Sequence, residues 1–409
     1  MKLLVYEHVS GGGFADKLIP AGVLSEGFAM LRTLISDFNA AGHNVTTTLD
    51  SRIARLNPPI DADCVLPVFS SQETQTNICT LSEQADAAYV IAPETESVLQ
   101  SLVEMVEQTG TVSLNCPADD IEKMVDKAGF YNLMRNRVPL PETRLFRVTD
   151  DLKAIKKAVR ASLNFPLIFK PSGGVSCCGV SVVRSEEQVA GAVGKIKENS
   201  SSKNLLVQEL IKGAAASVSL LSTGSAVVPI SLNRQDVTIE TPAACSSYNG
   251  GMVPFENPLR SEAFEVAEKI VKSFPRLRGY VGVDFVLTEN EAVAIEVNPR
   301  LTTSYVGLRR VVNFNPAQAI VNAVLNRELS TRIQSCGCTY FSKAETPIPM
   351  IDALQTTYRM EAVVSPPFPV SENGAAMALI ASYRATLQEA TASFHEAKKR
   401  VLNTISRGR

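Results

Sequence analysis

Residues 282–300 read GVDFVLTENEAVAIEVNPR and predict a β-hairpin. Two apolar segments, Val281–Leu287 and Ala292–Asn298, flank a polar turn at 288–291. Apolar runs joined by a short polar turn are typical of paired antiparallel strands. The pattern therefore predicts that these two strands lie side by side.

The second strand of this hairpin has one polar face. Side chains two positions apart share a face of a strand. The pattern thus predicts a polar face of Glu296, Asn298 and Arg300 and an opposite apolar face of Val293, Ile295 and Val297. If the turn is centred near Asn290, Asp284 lies opposite Glu296 on the first strand.

Two carboxylates that face each other across a hairpin predict a cation between them, because like charges in this position destabilise paired strands. A hard divalent ion such as Mg²⁺ (or Mn²⁺) takes carboxylate and amide oxygens as ligands and bridges to the phosphate oxygens of a nucleotide. Asp284, Glu296 and Asn298 are therefore the candidate metal ligands. The alternative is a solvated hairpin whose charges lie on its wet face.

A glycine-rich loop is the second informative segment. Residues 165–183 read FPLIFKPSGGVSCCGVSVV, so that Lys170 ends one strand and the loop leads into the next. Glycines let backbone amides approach phosphate oxygens closely, and Lys170 supplies a positive charge. Neither a P-loop nor a G-x-G-x-x-G motif is present. A flexible hairpin tip fits this loop as well as a phosphate-binding lid does.

A third segment, LLVQELIKG at residues 205–213, is an apolar strand that ends in polar residues and a glycine. Gln208 and the backbone of residues 209–211 could face the edge of a heterocycle. Taken alone, the segment does not separate this role from an ordinary strand end.

The composition is that of a globular protein with a sizeable core. Of the 409 residues, 45% are hydrophobic and 20% are charged, and the net charge is −2. This balance argues against a protein that coats nucleic acid or an anionic membrane. No apolar run reaches the roughly 18 residues needed to cross a bilayer. The first residues, MKLLVYEHVS, read as a strand rather than a secretion signal.

The eight cysteines predict reduced thiols in a cytoplasmic protein. Cys177–Cys178 and Cys336–Cys338 are too close in sequence for ordinary disulfides or for a C-x-x-C zinc site. None of the three histidines lies near a cysteine pair. Whether Cys177 and Cys178 make the glycine-rich loop sensitive to oxidation stays open.

The first 115 residues alternate strand and helix patterns. Four strands are predicted, at Leu3–Tyr6, Cys64–Phe69, Ala87–Ile91 and Thr111–Leu114. One helix between them carries the apolar stripe Leu24, Phe28, Leu31, Ile35 and Phe38 and stops near Gly42, and a second runs from about Glu94 to Gln108. Alternation of this kind predicts an open sheet of buried parallel strands with helices on both faces.

The remaining residues mix helices with antiparallel patterns. Helices are predicted at Asp119–Arg135 and Asp150–Leu163, and strands at Leu167–Lys170, Gly179–Val183, Leu205–Leu210, Ser217–Leu221 and Val227–Leu232. Asn233–Gln235 and Tyr248–Met252 read as polar or glycine-rich insertions. The tail after residue 331 predicts one strand at Ala375–Ala381 and a last helix from Thr386 onward.

These motifs occur in one order along the chain: DK at 126–127, KPSGG at 170–174, QELIKG at 208–213, VDF at 283–285 and EVNPR at 296–300. In this order the sequence resembles the ATP-grasp superfamily of carboxylate–amine ligases. The resemblance implies ATP held between two α+β lobes after an N-terminal α/β domain. It also implies that a carboxylate is activated as an acyl phosphate and then attacked by an amine.

The resemblance also implies roles for individual residues. Lys127 and Lys170 would contact the nucleotide phosphates, and the loop with Gly173, Gly174 and Ser176 would close over them. Gln208, Glu209 and Ile211 would hold the adenine. Asp284, Glu296 and Asn298 would bind Mg²⁺, and Arg300 would stabilise the transferring phosphoryl group as the catalytic residue.

One position departs from the family pattern. Many members carry a Glu shortly after the QExxxG segment, where it binds the ribose hydroxyls. Here the corresponding stretch, Gly213 to Ser217, has no acid. Either another group holds the ribose or that contact is absent.

Three further segments narrow the resemblance. YEHVSGGGF at 6–14, EGFAM at 26–30 and NPRLTTSYVGLR at 298–309 look similar to the tyramine–L-glutamate ligases of methanofuran biosynthesis. Those enzymes join the γ-carboxylate of glutamate to an aromatic amine. The resemblance therefore implies L-glutamate as the carboxylate, with tyramine, tyrosine or another amine as the acceptor.

Two segments are candidate substrate contacts. Thr302, Thr303 and Ser304 follow the metal-binding strand, where hydroxyls and amides could receive a carboxylate. Ser10, Gly11 and Gly12 follow the first strand, at the edge where open parallel sheets bind ligands. The alternatives are a simple helix cap for the first segment and a flexible turn for the second.

The family pattern implies three parts: an N-terminal domain of residues 1–115, an ATP-grasp domain of 116–330 with a nucleotide lid at about 140–212, and an extension of 331–409 that completes the core. It implies small-molecule substrates and leaves a homodimer open, while the charge balance and the lack of a long apolar run predict no nucleic acid or membrane partner. Two alternatives stay open: another amino-acid or peptide ligase, and a non-catalytic nucleotide-binding regulatory protein.

Overall fold

The computed structural model describes residues 1–174, 177, 179–329, 332–370 and 374–407. The predicted phosphate contact Ser176 and the cysteine Cys178 lie outside the described residues. The predicted architecture is confirmed: an α/β region with an open parallel sheet precedes two antiparallel lobes. None of the helices within the described ranges is both long and apolar enough to cross a membrane.

The N-terminal region contains a five-stranded parallel sheet in the order β3-β2-β1-β4-β5. The strand order reverses between β1 and β4, so the carboxyl ends of these two strands border a crevice. The elements of this region are β1 Lys2–Glu7, α1 Ala21–Ala40, β2 Asn44–Asp50, α2 Ser51–Ala54, β3 Cys64–Val68, α3 Ser71–Glu83, β4 Ala87–Ile91, α4 Val98–Gln108 and β5 Val112–Ser113.

Strand β2 was not predicted, because its sequence NVTTTLD is no apolar run. The buried threonines replace apolar side chains there and bond to neighbouring backbone: Thr47 donates to the carbonyl of Val5 over 2.6 Å, and Thr48 donates to that of Gly11 over 2.8 Å. The parallel strand predicted at Cys64–Phe69 is present as β3 Cys64–Val68, but the prediction that it is buried was wrong. Strand β3 is the exposed edge of the sheet, and Phe69 beyond it is 67% exposed.

Helix α1 matches its predicted stripe. Leu24, Phe28, Leu31, Ile35 and Phe38 are all buried. The helix ends at Ala40, and Gly42 follows with a φ of +82°, a left-handed conformation that glycine adopts without strain. This helix packs against the parallel sheet and also against the C-terminal strands, so it joins distant parts of the chain.

The middle region contains a four-stranded antiparallel sheet in the order β6-β9-β7-β8. Its apolar cluster, which includes Ile155, Phe169, Val193 and Val207, is separate from the clusters of the other sheets. The elements are α5 Ala118–Val125, α6 Lys127–Met134, β6 Thr143–Arg147, α7 Leu152–Ser162, β7 Leu167–Pro171, β8 Ser181–Val183, α8 Val189–Asn199 and β9 Asn204–Glu209.

The single helix predicted at Asp119–Arg135 is two helices that meet at Asp126. This residue has non-helical backbone angles (φ −72°, ψ 90°), and its side chain accepts a hydrogen bond from the amide of Ala128. Asp126 is therefore the N-cap of α6. The break places Lys127 at the first position of the second helix.

The rest of the chain builds an eight-stranded sheet in the order β14-β13-β10-β11-β12-β15-β17-β16. The elements are β10 Ala214–Thr223, β11 Val227–Thr238, β12 Ser247–Val253, α9 Arg260–Lys272, β13 Arg278–Leu287, β14 Ala292–Asn298, α10 Tyr305–Val311, α11 Pro316–Val321, β15 Cys338–Pro347, α12 Ile351–Tyr358, β16 Val363–Ser365, β17 Ala375–Arg384 and α13 Leu387–Arg407. The predicted tail strand and last helix are present, whereas β15, α12 and β16 were not predicted.

Two segments predicted as insertions belong to this sheet. Asn233–Gln235 lies within β11, Tyr248–Met252 lies within β12, and the two strands pair with each other. Polar residues and adjacent glycines obscured the strand pattern, because the period of alternating apolar residues is interrupted at these positions.

The predicted hairpin is confirmed, with one irregularity. Asp284 pairs with Glu296, but Phe285 pairs with Ala294, so Ile295 is an extra residue that bulges from β14. The prediction that Ile295 points away from the polar row was wrong for this reason. Val297 is buried in the apolar cluster on the opposite face, as predicted. Val293 is also buried, but it pairs with Val286, two residues after Asp284, so the prediction that it lies opposite the polar row was wrong as well.

Candidate active site

A cavity of about 330 Å³ lies where the three sheets meet. Its lining includes Glu7 and Ile91 at the carboxyl ends of β1 and β4, Lys170 at the end of β7, and Asp284 and Glu296 on the hairpin. All three sheets thus contribute to one site, the parallel sheet through the crevice at the ends of β1 and β4.

The two carboxylates predicted to face each other do so in this cavity. Asp284 Oδ1 accepts a hydrogen bond from Gln235 and Oδ2 accepts one from Asn298, each over 3.0 Å. Burial, and then the charge of Glu296, raise the pKa of Asp284 to about 7. Two acids paired across a hairpin in a partly buried site each favour the protonated form of the other, and a positive charge between them would relieve the repulsion.

Two lysines supply positive charge beside the acids. Lys127 Nζ lies 3.4 Å from Glu296 Oε2 and donates to the carbonyl of Gly174 over 2.9 Å. Burial alone would raise the pKa of Glu296, but Lys127 and Lys170 outweigh it and lower the pKa below its ordinary value. Lys170 is buried, which is the main reason that its own pKa falls to about 8.

The donor set fits a hard divalent cation. Asp284 and Glu296 offer carboxylate oxygens, and Asn298, whose amide nitrogen bonds Asp284, keeps its amide oxygen as an acceptor. Within the described part of the chain, no three His, Cys, Asp or Glu side chains group closely enough to hold a metal ion by themselves. An ion here would complete its shell with water or phosphate oxygens, as Mg²⁺ does at nucleotide sites.

Arg300 is held by an acid that the sequence did not indicate. Its Nε lies 2.7 Å from Glu94 Oε2, and both side chains are largely buried. Burial would lower the pKa of Arg300, but Glu94 more than offsets it. Glu94 follows β4 in the N-terminal region, so the parallel sheet orients the arginine that follows the metal-binding strand.

The segment predicted to hold adenine lies on the opposite wall. Gln208, Glu209 and Ile211 all line the cavity. Gln208 donates to the hydroxyl of Thr143 over 2.8 Å, and Glu209 accepts a hydrogen bond from the backbone amide of Glu142 over 2.9 Å. These bonds fix both side chains against β6 and leave the backbone after Glu209 facing the cavity.

The remaining predicted residues divide into two groups. Gly174, Thr302, Thr303 and Ser304 line the cavity together with the residues above. In contrast, Gly173 and the segment Ser10–Gly12 are absent from the lining formed by the described residues.

Ser10–Gly12 turns away from the cavity because Glu7 folds the loop back. The buried carboxylate of Glu7 accepts hydrogen bonds from the amides of Val9 and Ser10 and from the hydroxyl of Ser10. Gly12 then packs so closely on Val68 that a Cβ atom would lie 2.7 Å from its Cγ1. The glycines satisfy this packing, and Glu7 and Val9 line the cavity in their place.

Comparisons with known proteins agree with this geometry. The model of the ATP-grasp domain matches residues 124–304, and that of the pre ATP-grasp 3 domain matches residues 43–121. The tyramine–L-glutamate ligase of Methanocaldococcus fervens is 28% identical over 334 residues, which cover 81% of this chain and 97% of that enzyme. Residues 124–304 are thus an ATP-grasp domain, and the chain as a whole is similar to an ATP-grasp carboxylate–amine ligase.

Solved structures share the fold of the ligase. The biotin carboxylase of Campylobacter jejuni, in complex with β,γ-ATP, superposes with a TM-score of 0.73 at 15% identity and covers 99% of this chain and 95% of that one. The biotin carboxylase domain dimer of Hydrogenobacter thermophilus 2-oxoglutarate carboxylase, with MgADP, gives a TM-score of 0.70 at 14% identity, covering 97% and 89%.

Several cavity residues of the ligase were missed at the level of sequence. Glu26 on α1, Gln235 on β11 and Tyr248 on β12 all line the cavity. Gln235 and Tyr248 lie in the segments Asn233–Gln235 and Tyr248–Met252, whose polar and glycine-rich sequences could have marked them as part of a site. Ala215 and Ser217 also line the cavity, in the stretch Gly213 to Ser217 that has no acid, so this part of the wall carries no carboxylate.

Proposed function

We propose that the ligase activates the γ-carboxylate of L-glutamate with ATP and joins it to an aromatic amine, tyramine or tyrosine. A carboxylate oxygen would attack the γ-phosphorus and ADP would leave, giving an acyl phosphate. The amine nitrogen would then attack the carbonyl carbon, phosphate would leave, and the nitrogen would lose a proton. The 28% identity to tyramine–L-glutamate ligase supports this choice of substrates.

One observation supports the phosphoryl-transfer chemistry above all. Lys127, Lys170 and Arg300 line the same cavity as the paired acids Asp284 and Glu296. Fixed cations of this kind neutralise the charge that spreads over the phosphoryl oxygens, so catalysis needs little covalent chemistry from the protein.

We assign roles accordingly. Lys127, Lys170 and the loop at Gly174 would bind the phosphates, Gln208 and residues 209–211 would bind adenine, and Arg300 would stabilise the transferring phosphoryl group.

Asp284, Glu296 and Asn298 would hold Mg²⁺. When bound, the ion would neutralise the negative charge of the nucleotide phosphate oxygens.

The four-stranded sheet has its own apolar cluster, which supports the proposal that residues of about 140–212 act as a lid over the nucleotide. We divide the chain into residues 1–115, 116–330 and 331–409, although the last strands continue the eight-stranded sheet.

Free thiols support a cytoplasmic location, because disulfides are rare in that compartment. They are found at Cys64, Cys79, Cys116, Cys245, Cys336 and Cys338. The dimer formed by the biotin carboxylase domain of Hydrogenobacter thermophilus supports a homodimer for the ligase.

The acceptor site would lie beside the N-terminal region. Val9, Val23 and Met30 form an apolar part of the cavity wall that suits an aromatic ring. Thr302, Thr303 and Ser304 would contact the substrates from the other side.

The test is ADP release with ATP and Mg²⁺, with L-glutamate and tyramine or tyrosine supplied singly and together. Release that requires both substrates, with a new amide in the mass spectrum, is the expected result. If ADP is released with glutamate and the rate does not depend on the aromatic amine, the result would point to another amino-acid or peptide ligase. ATP binding without ADP release for any pair of substrates would contradict the proposal and favour a regulatory nucleotide-binding protein.

A further inference from the structure

A second charged cluster borders the cavity beside the groups assigned to phosphoryl transfer. Glu26 of α1 accepts a hydrogen bond from Thr303 over 3.1 Å, and its Oε1 lies 2.8 Å from Lys343 Nζ of β15. The same ammonium lies 5.9 Å from the ring centroid of Tyr248. Glu26 and Lys343 retain only 15% and 16% exposure of their side chains.

This cluster is within reach of a molecule bound at the metal-binding strand. Glu26, Tyr248 and Thr303 line the same cavity as Asp284 and Arg300, and Thr303 follows Arg300 by three residues. Burial and the charges of Glu26 and Asp284 raise the pKa of Tyr248, so its hydroxyl lies within electrostatic range of both acids.

The carboxylate of Glu26 has unused capacity for hydrogen bonds. An ionised carboxylate accepts about four hydrogen bonds, and Lys343 and Thr303 use one oxygen each. Lys343 pairs with one oxygen of Glu26, and the Tyr248 ring beside it offers a π face that attracts cations. Together these features fit a second ammonium group, one carried by a substrate.

We propose that Glu26 receives the α-ammonium of the amino acid whose side-chain carboxylate is activated, with Lys343 as a positioning residue. The inference rests on the proposed function and adds a recognition group for the amino-acid substrate. Glu26 cannot serve the acceptor amine in the same way, because an amine held as an ammonium ion has no lone pair with which to attack.

Holding the α-nitrogen as an ammonium ion also protects the intermediate. In γ-glutamyl phosphate, a neutral α-amine can attack the γ-carbonyl carbon of its own chain. The bond from that carbon to the phosphate oxygen then breaks, phosphate leaves, the nitrogen gives a proton to solvent, and 5-oxoproline forms. A charged hydrogen bond to Glu26 removes the lone pair that this cyclisation needs, so ATP is spent on the amide alone.

The test compares the wild type with Glu26→Gln, which keeps the shape and the Thr303 bond but removes the charge. We expect the KM for L-glutamate to rise about tenfold or more, the loss that corresponds to one charge-assisted hydrogen bond. The KM for ATP should stay within about twofold, because the nucleotide contacts are untouched. The KM for glutarate, which has no ammonium group, should be unchanged.

The product ratio gives a readout that a merely structural role would not move. The share of released ADP that appears as 5-oxoproline should rise in Glu26→Gln. The matched control is Asp37→Asn, which removes another buried charge of α1. Asp37 pairs with Arg309, and neither residue is among the described residues that line the cavity. This variant should keep the wild-type ratio and the wild-type preference for glutamate over glutarate.

Two outcomes overturn the inference: equal rises in KM for glutamate and glutarate, or a 5-oxoproline share equal to that of the wild type. Calorimetric titration of L-glutamate and glutarate separates this failure from that of the proposed function, because it needs no turnover. Tighter binding of glutamate that disappears in Glu26→Gln supports the ammonium site even if no ADP is released. Equal binding of both compounds to the wild type contradicts it.

Discussion

Asp284 lies directly opposite Glu296 on the β13–β14 hairpin, and the two acids differ in their pKa values. Burial and its partner's charge raise the pKa of Asp284 to about 7, whereas Lys127 and Lys170 lower that of Glu296. The pair therefore carries less than its full negative charge near neutral pH unless a cation is added.

Glu296→Gln should abolish ADP formation while the fold stays intact, because it removes a charged ligand of the proposed metal. Mg²⁺ with ATP should raise the Tm of the wild type, since a ligand that binds only the folded state stabilises it. That rise should be lost in the variant. Glu291→Gln, at the exposed turn of the same hairpin, is the control and should behave as the wild type. Full turnover by Glu296→Gln would disprove the metal assignment.

Lys170→Ala should weaken ATP binding through the loss of a phosphate contact. One charge-assisted hydrogen bond is worth about 1.5–3 kcal/mol, so the Kd for ATP should rise by roughly ten- to a hundredfold. Lys203→Ala, an exposed lysine of the same lobe, should leave the Kd unchanged. Calorimetry measures both values, and an unaltered affinity in Lys170→Ala would count against the assigned role.

ATP affinity should fall as the pH rises above about 8. Burial lowers the pKa of Lys170 to about 8, so above this pH the ligand-free protein holds a neutral amine there. The phosphates favour the charged form, so binding must then draw a proton from solvent, and the affinity decreases with each further rise in pH. Titrations in buffers of different ionisation enthalpy should detect proton uptake by the wild type and less uptake by Lys170→Ala. The same uptake in both proteins would assign the proton to another group.

Glu94→Gln should lower kcat more than it raises the KM for ATP. Glu94 holds Arg300 at 2.7 Å, so loss of its charge frees the guanidinium that is proposed to stabilise the transferring phosphoryl group. A fall in kcat of about tenfold, equivalent to about 1.4 kcal/mol, is expected. Glu142→Gln, which breaks the more exposed pair with Arg144, is the control. A change in KM alone would place Glu94 in nucleotide binding instead.

Gly27→Ala should destabilise the ligase, although alanine normally favours a helix. A Cβ atom at Gly27 would lie 2.6 Å from Glu7 Cδ, inside a buried hydrogen-bonded carboxylate. Overpacking of this kind costs about 1–3 kcal/mol and outweighs the gain in helix propensity. Gly194→Ala in α8, where a Cβ meets nothing within 4 Å, should instead stabilise by about 0.5–1 kcal/mol. Thermal unfolding measures the change in stability of both variants. A Gly27→Ala variant more stable than the wild type would refute the packing argument.

The polar row of the hairpin could be predicted because strand alternation is a local property. Asp284, Glu296 and Asn298 follow from spacing and from one turn position, and no distant residue is needed to place them. The exceptions, Ile295 and Val293, show the limit of this reasoning: one bulge residue shifts the register of the residues before it, and the alternating pattern does not reveal it.

The partners of the site residues could not be predicted in this way. Glu94 reaches Arg300, and Lys343 reaches Glu26 across 317 positions of sequence. No periodicity links such residues, because they meet only after the parallel sheet docks against the eight-stranded sheet. Strand β2 escaped prediction for a related reason: its threonines bury their hydroxyls on backbone carbonyls that belong to other segments.

Local sequence was enough to establish the order of the motifs, the paired acids of the hairpin and the lysine before the glycine-rich loop. Each depends only on residues that are close together in sequence, because their spacing along a strand or loop determines which side chains share a face. The folded chain was needed to establish that Ser10–Gly12 turns away from the cavity, that Glu94 orients Arg300 and that Glu26 and Lys343 meet there. Those contacts depend on how the separate sheets and helix α1 pack, and packing is a property of the whole chain.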